Sequence, residues 1–231
     1  MRTLFLLALA LLALAAPLSA DGPPWVPLGP GGGSVASLAV HPGNPDVLYA
    51  ATSGAPYKSV NGGVSWVEIT GIGRVSEVAL DPSRPTTVYA LSFNQVLKSV
   101  NGGATWTPSV PAGLPPASPL RHLTVDPAQP SRLYVSAGGG VWRSDNGGAS
   151  WRRFSQGLPG SEVTALAAPR RPAGTVFAGT RLGGLYRSTN AGRTWTRLGR
   201  GLPAEWVRAL AVSPSDPRTV YASLEHGLFL S

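Results

Sequence analysis

The amino-acid sequence predicts an all-β fold, a β-propeller of four-stranded antiparallel blades, and three observations support this prediction. An eight-residue motif, Ser-x-Asn-x-Gly-x-x-Trp, occurs four times, and its tryptophans are 40, 45 and 44 residues apart. Between the motifs, apolar residues alternate with polar ones over short runs, which is the period of a β-strand. The 29 glycines and 23 prolines accompany 43% hydrophobic residues, a composition typical of turn-rich β-structure rather than of disorder.

Each repeat contains four short apolar segments, which we name strands A to D in chain order. Strand A is a Leu-x-Val type run and strand B a Val-Tyr-Ala type run; strand C ends in Lys-Ser or Arg-Ser, and strand D begins at the motif tryptophan. A degenerate copy of strands A and B at residues 166–178 brings the number of repeats to five. A single unit of this size cannot bury both of its faces, so the five units are expected to stack as blades.

The eight-residue motif is predicted to be structural. Its Asn-Gly tip suits a tight turn that needs positive φ, and the tryptophan that follows can fold over the sheet, where burial of its side chain contributes about 1.5–3 kcal/mol. Ligand sites on propellers are usually asymmetric whereas scaffolding repeats, so we favour this role over sugar or metal ligation. The predicted scaffold residues are Asn61, Trp66, Asn101, Trp106, Asn146, Trp151, Asn190 and Trp195.

The two ends of the sequence predict how the fifth blade is completed. The fifth copy reaches Ser231 at the end of strand C, and the segment Trp25-Val26-Pro27-Leu28 is similar to the start of strand D in the other copies. We therefore expect residues 25–28 to pair with residues 227–231 and to close a ring of five blades. A fragment of a larger propeller is the alternative, since propellers typically have about four to eight blades.

The two conserved blocks of the repeat, Pro-x-x-Pro-x-x-Val-Tyr-Ala and Lys-Ser-x-Asn-Gly-Gly-x-x-Trp, resemble the Asp-box, or bacterial neuraminidase repeat, of β-propeller proteins. The resemblance covers residues 25–231 and is closest to sortilin-type and xyloglucanase-like propellers. It implies a fold and does not specify a function. All four motifs have Asn where that family most often has Asp, and the missing negative charge argues against a calcium site.

The same resemblance implies glycoside hydrolysis as a possible activity, for which the sequence offers little support. Sialidase-like chemistry implies an Arg-Ile-Pro segment at the start of the propeller, which is missing. Xyloglucanase-like chemistry implies two carboxylates facing one cleft, usually between two tandem propellers. Glu162 and Glu225 are the acid/base candidates. We therefore treat a carbohydrate-active hydrolase as the second hypothesis and an assembly factor without a small ligand as the third.

The N-terminus predicts export. A single arginine, an apolar run from Leu4 to Ala16 and small residues up to Ala20 have the order of a signal peptide. We assign residues 1–20 to the signal and residues 21–231 to one propeller domain, secreted or periplasmic; a retained membrane anchor is the alternative. The sequence has no cysteine, which excludes disulfides and thiolate sites. We expect no cofactor, no metal and no transmembrane segment after cleavage.

The charge distribution leaves the partner open. The formal net charge is +8, and residues 116–231 carry fourteen Lys and Arg against six Asp and Glu. An anionic surface or partner is one explanation, and an arginine-rich composition is the other. No specific nucleic-acid motif is present, and we expect a monomer.

Ligand binding is predicted on the face that carries the B–C and D–A loops, because variable loops on a rigid scaffold commonly hold binding sites. Loop residues that break the repeat there are candidates for contact with a glycan, peptide or protein, with Trp206 as a stacking platform; solvated loops without function are the alternative. The first hypothesis is therefore an exported binding or interaction module. The ligand-binding candidates are Arg74, Phe93, Asn94, Arg121, Arg181, Trp206 and His226, with Arg208 nearby.

Overall fold

A computed structural model describes residues 26–31, 33–109, 113–115, 118–198, 202–203, 205–214 and 216–231. Within these ranges the chain forms nineteen β-strands and no helix. The strands are β1 (Val35–Val40), β2 (Leu48–Thr52), β3 (Pro56–Ser59), β4 (Val67–Glu68), β5 (Glu77–Leu80), β6 (Val88–Leu91), β7 (Val96–Ser99), β8 (Thr107–Pro108), β9 (Leu120–Val125), β10 (Leu133–Ala137), β11 (Gly140–Ser144), β12 (Arg152–Arg153), β13 (Val163–Ala167), β14 (Val176–Thr180), β15 (Gly184–Ser188), β16 (Thr196–Leu198), β17 (Val207–Val212), β18 (Val220–Leu224) and β19 (Gly227–Leu230).

The strands form five antiparallel sheets in chain order. Blade 1 contains β1–β4, blade 2 β5–β8, blade 3 β9–β12, blade 4 β13–β16 and blade 5 β17–β19. The first strands of successive blades contact one another, from β1 with β5 to β13 with β17, so strand A is the innermost strand of each blade. This architecture confirms the predicted fold class, an all-β propeller of five antiparallel blades.

The repeated motif forms the turn between strands C and D, and its polar side chains bond within that turn. In blade 1 the Ser59 hydroxyl donates to Asn61 Oδ1 at 3.0 Å and accepts the Gly63 N–H at 2.9 Å, while Asn61 Oδ1 also accepts the Ser65 N–H at 2.9 Å. Gly63 has a φ of +89°, which glycine adopts readily. The other three turns repeat these bonds. The four asparagine amides are thus engaged inside their own turns.

The tryptophan after each turn packs over the sheet to a depth that varies between blades. Trp151 and Trp195 are 3% and 5% exposed, whereas Trp66 and Trp106 are half-buried. Trp195 Nε1 donates to the carbonyl oxygen of Phe154 at 2.9 Å, just after the last strand of the preceding blade. The indole therefore links two blades as well as covering its own sheet.

Side chains from strands B and C of blades 1 to 3 reach the turn of the next blade. Tyr49 donates its hydroxyl to the carbonyl oxygen of Gly102 at 3.0 Å, and Lys58 donates to the same oxygen at 2.7 Å. Lys58 also lies 5.4 Å from the centre of the Tyr49 ring. We call this arrangement the tyrosine–cation contact. The equivalent cations are Lys98, which donates to Gly147 O at 3.4 Å, and Arg143, which donates to Ala191 O at 2.7 Å.

The hydrophobic core lies between blades rather than within one of them. Each cluster of buried side chains combines residues from two neighbouring blades, for example Tyr49 of blade 1 with Val78 and Leu97 of blade 2. The remaining clusters join blades 2 and 3, blades 3 and 4, and blades 4 and 5. No cluster among the described residues joins blade 5 to blade 1. Burial of apolar surface therefore holds neighbouring blades together.

The segment predicted to complete blade 5 is placed differently from the prediction. Trp25 lies outside the described residues, residues 26–28 belong to no strand, and the described part of blade 5 has three strands. Leu28 lies against Gly63 of the first turn, and its carbonyl oxygen accepts the Trp66 Nε1–H at 2.8 Å. These contacts hold residues 26–28 beside blade 1, and the predicted pairing with residues 227–231 is absent from the described part of the chain.

Substitution of Tyr49 tests the tyrosine–cation contact. Tyr49→Phe removes a buried hydroxyl that bonds to Gly102, so we expect the free energy of unfolding to fall by about 1 kcal/mol in urea titrations. Tyr221→Phe is the matched control, because Tyr221 has the same place in blade 5 but is 40% exposed. We expect a smaller loss there when the titration is made at a protein concentration low enough to keep the chain monomeric. An equal loss in both variants would contradict the assignment.

Truncation of Trp195 tests the scaffold role of the motif. Trp195 is 5% exposed, and its removal leaves a cavity between blades 3 and 4. We expect Trp195→Ala to lower the free energy of unfolding by about 3–5 kcal/mol. Trp66→Ala is expected to cost less, because that ring is half-buried. The same titration measures both, and a larger loss for Trp66→Ala would count against this account.

Candidate binding face

Backbone hydrogen bonds define the two faces of the propeller. On one face, which we call the loop face, the B–C loops bond to the segments that precede strand A: the Ser53 N–H donates to Ser34 O and the Arg181 N–H to Glu162 O, each at 2.9 Å. On the other, which we call the turn face, the motif turns bond to the A–B loops. The repeating parts of the sequence therefore lie on the turn face, and the variable parts lie on the loop face.

Glu162 connects blades 3 and 4 on the loop face. Its Oε1 lies 3.0 Å from Arg121 Nε, in the first strand of blade 3, and its Oε2 lies 3.2 Å from Arg181 NH1, in the B–C loop of blade 4. Both arginine side chains remain about half exposed, at 53% and 54%. A guanidinium has five N–H donors, so each arginine retains donors for a ligand.

Trp206 continues this arrangement into blade 5. Its ring centre lies 4.9 Å from the Arg181 guanidinium and 4.2 Å from that of Arg208, distances at which cation–π attraction operates. Arg208 in turn lies 3.5 Å from Glu225 Oε1. We call the connected set the polar band. Its members are Arg121, Glu162, Arg181, Trp206, Arg208 and Glu225.

A shallow pocket adjoins the polar band between blades 3 and 4. It has a volume of about 250 Å³, and Arg121 and Glu162 form its charged wall. Glycines form much of the rest: a Cβ at Gly139 would lie 2.3 Å from the Gly160 carbonyl oxygen. Because no side chain fits at Gly139, backbone lines this side of the pocket, and a ligand there would meet peptide groups as well as the two charges.

The structure joins some of the predicted site residues and separates others. Arg121, Arg181, Trp206, Glu162 and Glu225 all belong to the polar band. The Arg74 Nε–H donates to Ser53 O, and Phe93 is 71% exposed with Asn94 beside it. No hydrogen bond, ion pair or ring contact within the described ranges connects Arg74, Phe93 or Asn94 to the polar band.

His226 has a partner that the sequence reasoning missed. Its Nδ1 lies 3.2 Å from Glu205 Oε2, and its side chain is 75% exposed. Glu205 directly precedes Trp206, so its position before strand A was the available signal. A second difference concerns Trp206, whose ring is not a free stacking platform because two guanidinium groups already contact it.

The two acid/base candidates are both engaged in ion pairs. Each oxygen of Glu162 faces a guanidinium group, and Glu225 Oε1 faces Arg208. A general acid must hold a proton on an oxygen directed at the leaving group. The geometry of Glu162 therefore argues against proton donation. No cluster of three His, Asp or Glu side chains suited to a metal ion occurs among the described residues.

The turn face also carries a groove. It has a volume of about 830 Å³ and is lined by the innermost strands and A–B loops of blades 3 to 5. Its lining includes the apolar residues Leu166, Leu210 and Val212, and its charged residues are Arg170 and Arg171. These two arginines supply a control for experiments on the loop face, because they carry the same charge on the opposite side of the molecule.

Comparison with solved structures places the fold among known propellers. The structure superposes on an ancestral GH74 enzyme with a TM-score of 0.72 at 25% identity, covering 87% of this chain and 28% of that one. It also superposes on the GH74 xyloglucanase from Xanthomonas campestris (TM-score 0.71, 20% identity, 83% and 35% covered). A third match is the extracellular domain of the BT4673 sensor system from B. thetaiotaomicron (TM-score 0.66, 13% identity, 85% and 27% covered).

These similarities cover only part of each matching protein. The chain spans about a third or less of the length of each of those three proteins. Neither the known family models nor the curated protein sequences contain a match. No helix in the described ranges is long and apolar enough to cross a membrane. The comparisons therefore support the propeller fold, whose neighbours include glycoside hydrolases and an extracellular sensor domain.

Substitution of Glu162 tests the charge balance of the polar band. Glu162→Gln removes the carboxylate between two half-exposed arginines, so we expect the protein to elute from heparin resin at higher salt than wild type. Arg181→Ser is expected to elute at lower salt. Arg171→Ser on the turn face is the matched control. If Arg171→Ser lowers the elution salt as much as Arg181→Ser does, the arginines coat the protein without forming a site.

Proposed function

We propose that this chain is an exported binding module that holds an oligosaccharide on the loop face of blades 3 to 5. The observation that carries this proposal is the polar band, an unbroken series of guanidinium, carboxylate and indole groups across three blades. The interblade core and the tyrosine–cation contact hold the blades together elsewhere. The scaffold therefore does not require these charged side chains on the loop face.

The chemistry of the polar band suits a ligand rich in hydroxyl groups. Arginine supplies N–H donors and glutamate supplies acceptors, and three ion pairs between them lie along the band at 3.0 to 3.5 Å. The pocket beside Arg121 and Glu162 adds backbone groups. Ordered donors and acceptors around a largely preformed pocket are the features that fix the orientation of a polar ligand.

The charge of the polar band favours a neutral or weakly acidic sugar over a polyanion. Its three arginines face two carboxylates, and Glu205 adds a third within the same loop cluster. Most of the positive charge is therefore compensated locally. An acidic group on the ligand would use the spare N–H donors of Arg121 and Arg181, and we expect such binding to be weak and sensitive to salt.

Hydrolysis is the second candidate, since two of the similar structures are GH74 enzymes. It receives less support from the site itself, because both oxygens of Glu162 face arginines. Incubation with xyloglucan and neutral β-glucans, followed by measurement of new reducing ends, distinguishes the two candidates. Release of reducing ends that Glu162→Gln abolishes would replace the binding proposal with the hydrolase.

A glycan array probed with residues 21–231 at two salt concentrations tests the proposal. We expect binding to a group of related oligosaccharides that changes little with salt and is lost in Arg121→Ala and Arg181→Ser, because each removes donors from the polar band. Arg171→Ser on the turn face should bind like wild type. Absence of glycan binding, or equal losses in all three variants, would contradict the proposal.

A further inference from the structure

One face of blade 1 exposes apolar side chains to solvent, whereas the corresponding face of each other blade packs against the preceding blade. In blades 2 to 5, the apolar residue that precedes or begins strand A packs against the preceding blade. In blade 1 the corresponding residue is 47% exposed, and Leu38 and Val40 farther along β1 are 56% and 48% exposed. The exposures at the shared position are Val35 47%, Val75 1%, Leu120 4%, Val163 1% and Val207 1%.

The far face of blade 5 is uncovered in the same way. The strand-B aromatic residue of each earlier blade packs against the next blade and is almost fully buried. In blade 5 that residue is 40% exposed, and Leu228 and Leu230 of β19 are 72% and 65% exposed. The exposures at the shared position are Tyr49 1%, Tyr89 1%, Tyr134 0%, Phe177 3% and Tyr221 40%.

The two uncovered faces are complementary because the chain joins such faces four times internally. The Gly102 carbonyl oxygen in the second turn accepts Tyr49 and Lys58, whereas the equivalent oxygen of Gly62 accepts no side chain among the described residues. Tyr221 is the strand-B tyrosine of blade 5. One face thus presents a carbonyl oxygen that no described side chain meets, and the other presents the tyrosine whose equivalent, Tyr49, meets such an oxygen between blades 1 and 2.

Residues 26–28 occupy the position of a strand D that belongs before blade 1. Trp66 Nε1 donates to Leu28 O at 2.8 Å, just as Trp195 Nε1 donates to Phe154 O at 2.9 Å after strand D of blade 3. Leu28 also lies against Gly63 as Phe154 lies against Gly192. Blade 1 therefore carries one strand of a preceding blade, while blade 5 lacks its fourth strand among the described residues.

We propose that the uncovered face of blade 5 binds the uncovered face of blade 1 in a second copy of this chain. The Tyr221 hydroxyl then donates to the carbonyl oxygen of Gly62 in the second copy, and the second copy's Val35 and Leu38 are covered. Residues 26–28 of that copy pair with the free edge of β19. The result is a head-to-tail interface built like the four internal ones.

The internal blades also supply the register of the added strand. In blade 2, Leu97 is opposite Pro108, and in blade 1, Lys58 is opposite Val67. Phe229 pairs with Ala222 as Leu97 pairs with Ala90, so the same alignment places Phe229 opposite Pro27 and Leu230 opposite Val26. A proline at that position is compatible with the ladder, since Pro108 already occupies it in β8.

Burial of exposed apolar side chains drives this association, since contiguous apolar surface on a folded domain usually marks an interface. The interface is heterologous, so a dimer keeps one unused face of each kind until a ring or a longer chain forms. This assembly departs from the monomer expected from sequence. It also separates the two functions of the molecule, because the loop-face polar band lies on blades 3 to 5 and remains accessible.

Cysteine cross-linking tests the proposal, because the chain has no cysteine of its own. A double variant of residues 21–231, Val26→Cys with Leu230→Cys, is oxidised and examined by non-reducing electrophoresis and light scattering. We expect covalent dimers and larger species. The control, Val26→Cys with Leu182→Cys, pairs the first site with a 76% exposed loop residue and should remain largely uncross-linked.

The same variant distinguishes association of two copies from closure of the ring within one chain. An oxidised, covalently closed monomer would overturn the proposal and would mean that residues 25–28 complete blade 5 of their own chain. Equal cross-linking in the control pair would also overturn it. Either result leaves glycan binding by the loop face unaffected.

Mixing two single variants gives an independent readout without cysteine chemistry. Val35→Glu disables the blade 1 face, and Tyr221→Glu disables the blade 5 face, so we expect each variant alone to run as a monomer. Their mixture retains one intact pair of faces and should form a dimer. Wild-type protein that is monomeric at every concentration, or a mixture that remains monomeric while wild type assembles, would contradict a head-to-tail interface.

Discussion

The contact between the strand-B and strand-C side chains of one blade and the turn of the next is the interaction on which the rest of the structure depends. Asn61 and its equivalents use their amides inside the turn, which fixes the turn backbone. Positive φ at the glycines then leaves a carbonyl oxygen directed at the preceding blade, where Tyr49 and Lys58 meet it. Burial raises the pKa of Tyr49, so its hydroxyl stays a donor over the usual pH range.

This use of the turns divides the molecule into two chemically different faces. The turn face makes the contacts that stack the blades, so the residues that form it repeat from blade to blade. The loop face carries few scaffold contacts, and its side chains can differ without loss of the fold. The polar band lies on this freer face, and its ion pairs, most of them half exposed, contribute little to stability. Blades 1 and 5 expose apolar side chains because each has only one neighbouring blade packed against it among the described residues.

The candidate site was predicted in part. Arg181 is identified because it breaks the repeat, and Arg121 and Trp206 because they lie around the start of strand A on the predicted loop face. The structure joins the two arginines through Glu162 and places Arg181 against Trp206. Arg74 and Phe93 break the repeat equally well but lie outside the polar band. Glu205 was missed because its contact with His226 joins two loops of blade 5. Sequence position alone therefore identified the face, while the pairing of side chains required the blade-to-blade geometry.

The sequence by itself determined the blade, because turn chemistry and period-two alternation are local: Asn61, Gly63 and Trp66 lie within six residues of one another. It also determined the number of repeats and the order of their strands. Only the tertiary structure decided where residues 26–28 lie and which arginine meets which glutamate. Those contacts join groups far apart in the chain, such as Arg121 and Glu162, so they depend on the twist and stacking of whole blades, which no local pattern encodes.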